Sequence, residues 1–161
     1  MSENLLKIEG NLEEQYLGLI PQIEAIINGE KNMIANMANV TAVLKSQFEW
    51  LWIGFYIVHE EELIVGPYQG PLACTRIKKG KGVCGKCWET EKAILVKDVN
   101  EFPAHIACSS LSKSEIVIPL FHDNKVFAVL DVDSEFLDFF NETDVKYLIQ
   151  ITELISQNKG L

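Results

Sequence analysis

The middle of the sequence holds four apolar runs of strand length, and helical patterns stand on either side of this block. The runs are WLWIGFYIV (50–58), ELIVGPYQG (62–70), SEIVIPLF (114–121) and KVFAVLDVDS (125–134). Only the tripeptide HDN separates the last two runs, and so short a loop predicts a β-hairpin. The simplest fold for this order of elements is an α+β domain in which helices pack against a central antiparallel sheet.

Helical patterns fill both ends of the chain. Apolar residues recur at helical spacing over about 11–47 and about 141–157, and the sheet with its loops is expected over about 50–134. Pro21 is expected to kink the first helix or to split it. No linker rich in Pro, Gly or Ser interrupts the sequence, so we predict one domain over 1–161. Shorter patterns predict a strand in LACTRI (72–77), a helix in GVCGKCWETEKA (82–93) and a strand in AILV (93–96).

The charge and hydropathy of the sequence predict a soluble cytoplasmic protein that binds neither nucleic acid nor membranes. Its formal net charge is -9 at pH 7, whereas nucleic acids and anionic membranes attract basic surfaces. The longest apolar run, 50–58, is far shorter than the roughly 20 residues of a membrane helix. The acid-rich start does not look like a signal peptide. With nucleic acid and membranes excluded by the charge, a small molecule or a protein is left as the partner. In the cytoplasm cysteines persist as thiols, which favours metal-binding or redox roles for them.

Two paired motifs suggest a tetrahedral zinc site. C-x-x-C at Cys84 and Cys87 is followed by H-x-x-C at His105 and Cys108, so the four residues offer three thiolates and one imidazole. A chain that uses them in this way would be a zinc-stabilised interaction module. Its thiols would then be unavailable for catalysis.

Thiol redox chemistry is the competing interpretation of the same cysteines. One thiolate would attack, become a sulfenic acid or a mixed disulfide, and be resolved by a second thiol. Cations stabilise a thiolate, and four basic residues lie near Cys84 in the sequence: Arg76, Lys78, Lys79 and Lys81. A third interpretation is that the cysteines are only buried hydrophobic residues beside a solvated basic turn.

Three carboxylates are predicted to gather at one end of the hairpin. Asp131 and Asp133 are two residues apart at the end of an apolar strand, so they point to the same face. A three-residue loop at 122–124 would place Glu115 opposite Asp131 on that face, whereas a two- or four-residue loop would place it on the other. Buried acids repel one another, which raises the pKa of at least one. We therefore expect a site for a cationic amine, with a proton donor near Cys108.

Seven sequence blocks, in order and spacing, resemble the free methionine-(R)-sulfoxide reductases, which are stand-alone catalytic GAF domains. The resemblance spans nearly the whole chain. The blocks are WIGFY (52–56), GPYQG (66–70), ACTRI (73–77), GKGVCG (80–85), DVNEFPAHIAC (98–108), SEIVIPL (114–120) and VLDVDS (129–134).

This resemblance implies a GAF fold, usually as a homodimer, and an activity. Free methionine-R-sulfoxide would be reduced to methionine, thioredoxin would regenerate the thiols, and no bound cofactor is expected. Cys108 is implied as the nucleophile, with Cys74 or Cys84 as the resolving thiol and Cys74 slightly favoured. The remaining implied site residues hold the substrate's amine, assist at its oxygen or surround its methyl group: Glu115, Asp131, Asp133, Trp52 and Tyr56.

Two departures from the family's pattern bear on these roles. Cys87 stands where the family usually has a small residue other than cysteine, and Ser109 stands where an acid commonly follows the cysteine. Cys87 could be a bystander or an alternative resolving thiol, whereas His105 is expected to be a structural hydrogen-bonding residue. Besides the zinc-stabilised module, the other alternative is a non-catalytic GAF sensor that binds a cyclic nucleotide, an amino acid or a chromophore.

Overall fold

A computed structural model describes residues 5–103, 106 and 108–157 of the chain. The helices are α1 (Leu12–Ile27), α2 (Met33–Gln47), α3 (Gly82–Thr90) and α4 (Glu142–Gln157), with a 3-10 turn at Val99–Glu101. The strands are β1 (Trp52–His59), β2 (Glu62–Gln69), β3 (Arg76–Lys78), β4 (Ile94–Val96), β5 (Ser114–His122) and β6 (Lys125–Ser134). None of the described helices is long and apolar enough to span a membrane.

The described strands form one six-stranded sheet in the order β3-β2-β1-β6-β5-β4. Every pairing in it is antiparallel, and β1 and β6 lie at the centre. The prediction of an α+β fold with a central antiparallel sheet and flanking helices is therefore confirmed. The boundaries predicted for the helical ends and the strand-rich middle agree with these elements to within a few residues.

The two faces of the sheet are covered by different helices. Buried residues of α1, α2 and α4 pack against one face, to which Leu130 and Val132 of β6 contribute. Val129 of the same strand packs on the other face, together with buried residues of α3. Because side chains alternate along a strand, Asp131 and Asp133 also belong to the face that α3 covers. The predicted carboxylate site thus lies between the sheet and α3.

Two local features differ from the simplest expectation. Helix α1 is not split at Pro21, because Tyr16, Leu19 and Ile23 anchor it in the core on both sides of the proline. Pro21 lacks the N–H that would bond to the Leu17 carbonyl, and Leu17 is exposed, which lowers the cost of the missing bond. The strand predicted over 72–77 is shorter in the structure, where β3 begins only at Arg76 and the chain before it forms a loop.

The β5–β6 hairpin places Glu115 on the expected face of the sheet but with a different strand register. Its turn has two residues, Asp123 and Asn124, both with positive φ (49° and 59°), as tight hairpins of this type require. A bulge at Phe127 then shifts the register by one residue, so that Glu115 pairs with Asp133. The predicted three-residue loop and Glu115–Asp131 pairing are wrong. The two-residue turn alone would put Glu115 on the opposite face, but the one-residue shift at the bulge returns it to the face of Asp131 and Asp133.

Candidate active site

A pocket lies at the end of the sheet beside α3. Strands β1, β5 and β6 supply its floor. Helix α3, the loop at residues 71–73 and residues 106, 108, 109 and 112 supply its walls. All eight site residues implied by the resemblance lie at this place: seven line the pocket (Trp52, Tyr56, Cys84, Cys108, Glu115, Asp131 and Asp133), and Cys74 is bonded to Cys108.

Sheet register brings the three carboxylates together. Asp133 lies between Glu115 on β5 and Trp52 on β1, and Asp131 lies opposite Gly54 on β1. Glu115 and Asp131 are 6% and 7% exposed, respectively. Because all three point to the α3 face, their negative charges converge on one small volume.

The electrostatics of the pocket favour a positively charged ligand. Burial, reinforced by the neighbouring acids, raises the pKa values of Glu115 and Asp131 well above those of ordinary carboxyls. Burial also raises the pKa of Asp133 to about 6, although a hydrogen bond from the Ser112 hydroxyl opposes this shift. No Lys or Arg is among the described residues that line the pocket. Asp133 is therefore partly protonated near neutral pH, and no Lys or Arg among these lining residues pairs with the three acids.

Aromatic side chains form one wall of the pocket. Trp52 stacks on Tyr68 and Tyr56, with ring centroids 5.2 and 5.9 Å apart. The Trp52 indole N–H donates to the carbonyl of Pro71 at 3.2 Å, and the Tyr56 hydroxyl donates to the carbonyl of Cys74 at 3.0 Å. These bonds tie the loop that carries Cys74 to β1.

Three residues that support the site were not found from the sequence. Ser112 donates to Asp133, and Tyr68 holds the Trp52 ring. A Cβ built on Gly54 would lie 2.3 Å from the Tyr68 Cβ and 2.6 Å from the Trp52 ring, so only glycine leaves room for this packing. A glycine inside the apolar run 50–58 was the one sequence signal of such a close approach.

The cysteines separate into one bonded pair and two thiols. Cys74 and Cys108 form a disulfide with an S–S distance of 2.02 Å, while Cys84 and Cys87 are free and buried. The predicted zinc set of Cys84, Cys87, His105 and Cys108 is not assembled, since the Cys108 sulfur is bonded to Cys74. His105 itself lies outside the described residues.

The predicted effect of basic neighbours on Cys84 is wrong. Its sulfur lies 4.0 Å from Glu115 Oε1, and burial together with Asp131 and Glu115 raises the pKa of the thiol well above its usual value. Two of the four nearby cations have other partners: Arg76 pairs with Glu62 at 3.0 Å, and the Lys79 ammonium lies over the Trp88 ring, 4.9 Å from its centroid. Cys84 is therefore a protonated thiol.

Cys87 lies one helical turn further along α3, outside the pocket lining. Its sulfur is 3.8 Å from the carbonyl oxygen of Val117, and burial raises the pKa of this thiol as well. Cys87 therefore packs as a small apolar residue between α3 and β5.

Comparisons with known proteins point to one family. The GAF domain family model matches residues 35–158. GAF domain-containing protein A of Dictyostelium discoideum is 58% identical over 156 residues, which cover 96% of this chain and 99% of that protein. The free methionine-R-sulfoxide reductase of Escherichia coli strain K12 is 38% identical over 142 residues, covering 88% of this chain and 86% of that enzyme.

A solved structure extends the similarity to the fold. The X-ray structure of free methionine-R-sulfoxide reductase from Neisseria meningitidis in complex with its substrate has a TM-score of 0.94 and 46% sequence identity to this chain. The match covers 96% of this chain and 94% of the Neisseria chain.

Proposed function

Because this chain belongs to the GAF domain family and, within it, to the free methionine-R-sulfoxide reductases, we propose that it reduces free L-methionine-(R)-sulfoxide to L-methionine. One observation carries this proposal: two buried carboxylates and a half-buried third, with no Lys or Arg among the described lining residues, share a pocket with a cysteine disulfide. The acids suit an amino-acid ammonium group, and the sulfurs suit a two-electron reduction.

Glu115, Asp131 and Asp133 are the proposed ligands of the substrate's ammonium group. A free amino acid brings a full positive charge, which stabilises the ionised carboxylates in a buried site. In a peptide that nitrogen belongs to a neutral amide. The buried carboxylates would then remain unpaired, which is costly, so the pocket discriminates against peptide-bound methionine sulfoxide.

A carboxyl of raised pKa also supplies the proton that the sulfoxide oxygen needs. This oxygen leaves sulfur readily only when it is protonated, so the attacking thiolate requires an acid within hydrogen-bond reach. Asp133, with a pKa of about 6, is partly protonated near neutral pH, and Glu115 is its partner across the strands. Trp52 and Tyr56 enclose the methyl group of the substrate.

Cys108 is the proposed nucleophile and Cys74 the proposed resolving thiol. The Cys108 thiolate attacks the sulfoxide sulfur, two electrons pass to that sulfur, and its oxygen is transferred with a proton to Cys108 as a sulfenic acid. Cys74 then attacks the Cys108 sulfur, water leaves, and a disulfide forms. The Cys74–Cys108 bond, with Cα atoms 5.3 Å apart, supports this pairing over one with Cys84.

A dithiol protein of the thioredoxin class would complete the cycle by reducing that disulfide. Both cysteines of the pair are half-buried, so a protein thiol approaching from solvent meets them before it meets Cys84. We also propose a homodimer, as the resemblance implies. A non-catalytic sensor would give the acids a role in ligand binding but would leave the disulfide beside them without a use.

The test is a turnover assay that resolves the two sulfoxide epimers. With thioredoxin and its reductase as the recycling system, the protein should consume the R epimer of free methionine sulfoxide. It should leave both the S epimer and peptide-bound methionine sulfoxide untouched. Equal use of both epimers, or no turnover, would refute the proposed activity.

A further inference from the structure

Cys84 is a buried thiol that the proposed reaction does not use. It projects from α3 into the pocket floor, where its sulfur and one carboxylate oxygen each of Glu115 and Asp131 all lie within 4.8 Å of one another. The three residues are 3%, 6% and 7% exposed. One thiol and two carboxylates thus share a small volume at the closed end of the pocket.

A separate observation concerns one oxygen atom of this cluster. Asp131 Oδ1 is buried and has no hydrogen-bond partner among the described residues. No Lys or Arg is among the described residues that line the pocket, so none of these residues neutralises the cluster. A buried oxygen of this kind is rare because its desolvation is costly, and it indicates that a ligand completes the site.

The donor set selects the class of cation. An ammonium group interacts with the two carboxylates but gains little from a neutral thiol. A zinc-like divalent ion, in contrast, binds both thiolate and carboxylate ligands and displaces the thiol proton to solvent. Harder ions such as Mg²⁺ prefer oxygen ligands alone.

The spacing is close to that of a tetrahedral site. Zinc–sulfur and zinc–oxygen bonds of about 2.3 and 2.1 Å place a sulfur and an oxygen ligand about 3.5 Å apart. The Cys84 sulfur and Glu115 Oε1 are 4.0 Å apart, so a side-chain adjustment of about half an ångström brings them to bonding distance. The fourth position would face the pocket, where water completes the coordination.

We propose that the substrate-free pocket binds one thiophilic divalent cation through Cys84, Glu115 and Asp131, and that this cation excludes the substrate. The site differs from the C-x-x-C and H-x-x-C set predicted from the sequence, since it uses one cysteine and two acids. Only the competition with substrate rests on the proposed function. Binding of the cation does not.

The experiment uses the oxidised protein, in which the Cys74–Cys108 disulfide removes those sulfurs from competition. Zn²⁺ binding is measured by calorimetry, and Co²⁺ replaces Zn²⁺ to report a thiolate-to-cobalt charge-transfer band. We expect one bound ion per chain and a cobalt–thiolate band. Cys84→Ser should abolish the band, and Asp131→Asn should weaken binding by at least about tenfold. Circular dichroism checks that both variants are folded.

Cys87→Ser is the matched control, because Cys87 is the other free thiol of α3 and lies outside the cluster. It should bind Zn²⁺ as the parent does, and free methionine-R-sulfoxide should compete with the ion in both proteins. Absence of binding, a cobalt–thiolate band that survives Cys84→Ser, or equal losses in the Cys84 and Cys87 variants would overturn the proposal. Failure of the epimer assay would leave the cobalt result standing, so the two proposals fail separately.

Discussion

Replacing Asp133 by asparagine should stabilise the fold while it removes most of the activity. Burial raises the pKa of this carboxyl from 3.8 to about 6. The difference is about two pH units, and each unit corresponds to about 1.4 kcal/mol, so the ionised carboxylate costs the folded protein about 3 kcal/mol at neutral pH. An asparagine never ionises, and its amide oxygen still accepts the hydrogen bond from Ser112.

The sign of the pH dependence follows from the direction of the shift. A carboxyl with a raised pKa keeps its proton in the folded state at pH values where the unfolded chain has lost it. Its contribution to stability is complete below about pH 3.8 and is lost as the pH rises through about 6. The difference between Asp133→Asn and the parent should therefore be near zero at about pH 4 and reach about 3 kcal/mol at about pH 7.

Urea denaturation of both proteins in the disulfide form, at intervals from about pH 4 to about pH 7.5, measures this difference. Asp138→Asn is the matched control. Asp138 makes an exposed ion pair with Lys97 and should change stability by less than about 1 kcal/mol at any of these pH values. In the epimer assay Asp133→Asn should lose orders of magnitude in catalytic efficiency. Equal stability at all pH values, or a stabilisation that does not change with pH, would refute the reasoning.

Three further substitutions test other parts of the site. Glu115→Gln should stay folded but lose orders of magnitude in kcat/KM for free methionine-R-sulfoxide, and parent-like kinetics would exclude Glu115 as an amine ligand. Cys87→Ala should keep the parent's thioredoxin-coupled turnover; loss of recycling in that assay would make Cys87 a resolving thiol. Gly54→Ala should lower stability by about 1–3 kcal/mol in thermal unfolding, because its Cβ meets Tyr68 at 2.3 Å; an unchanged Tm would show that the aromatic wall yields easily.

The sequence was sufficient to place Asp131 and Asp133 on one face but not to give the register that adds Glu115 to them. The two-residue spacing of Asp131 and Asp133 has the period of a strand, so their common face follows directly. Glu115 joins them only because the bulge at Phe127 offsets the short turn. A bulge depends on how the flanking strands twist and pack, which local sequence does not encode.

The prediction of basic surroundings for Cys84 was wrong because the residues nearest to it in the sequence are not the residues nearest to it in space. The basic residues before α3 belong to β3 and its turn, where Arg76 reaches Glu62 on β2. Cys84 instead faces Glu115, which lies 31 residues further along the chain. Contacts of this length arise from the sheet order β1-β6-β5, which places α3 over the strand ends that carry the acids.

The central claim is that Cys108 attacks the sulfoxide and that Cys74 only resolves the product. The most direct test is methionine release by fully reduced protein after the reductant has been removed. The parent and Cys74→Ser should each release about one equivalent from free methionine-R-sulfoxide, whereas Cys108→Ser should release none. Only the parent should then continue to turn over when thioredoxin is added. If Cys108→Ser releases about one equivalent and Cys84→Ser releases none, Cys84 is the attacking thiol and the assignment is wrong.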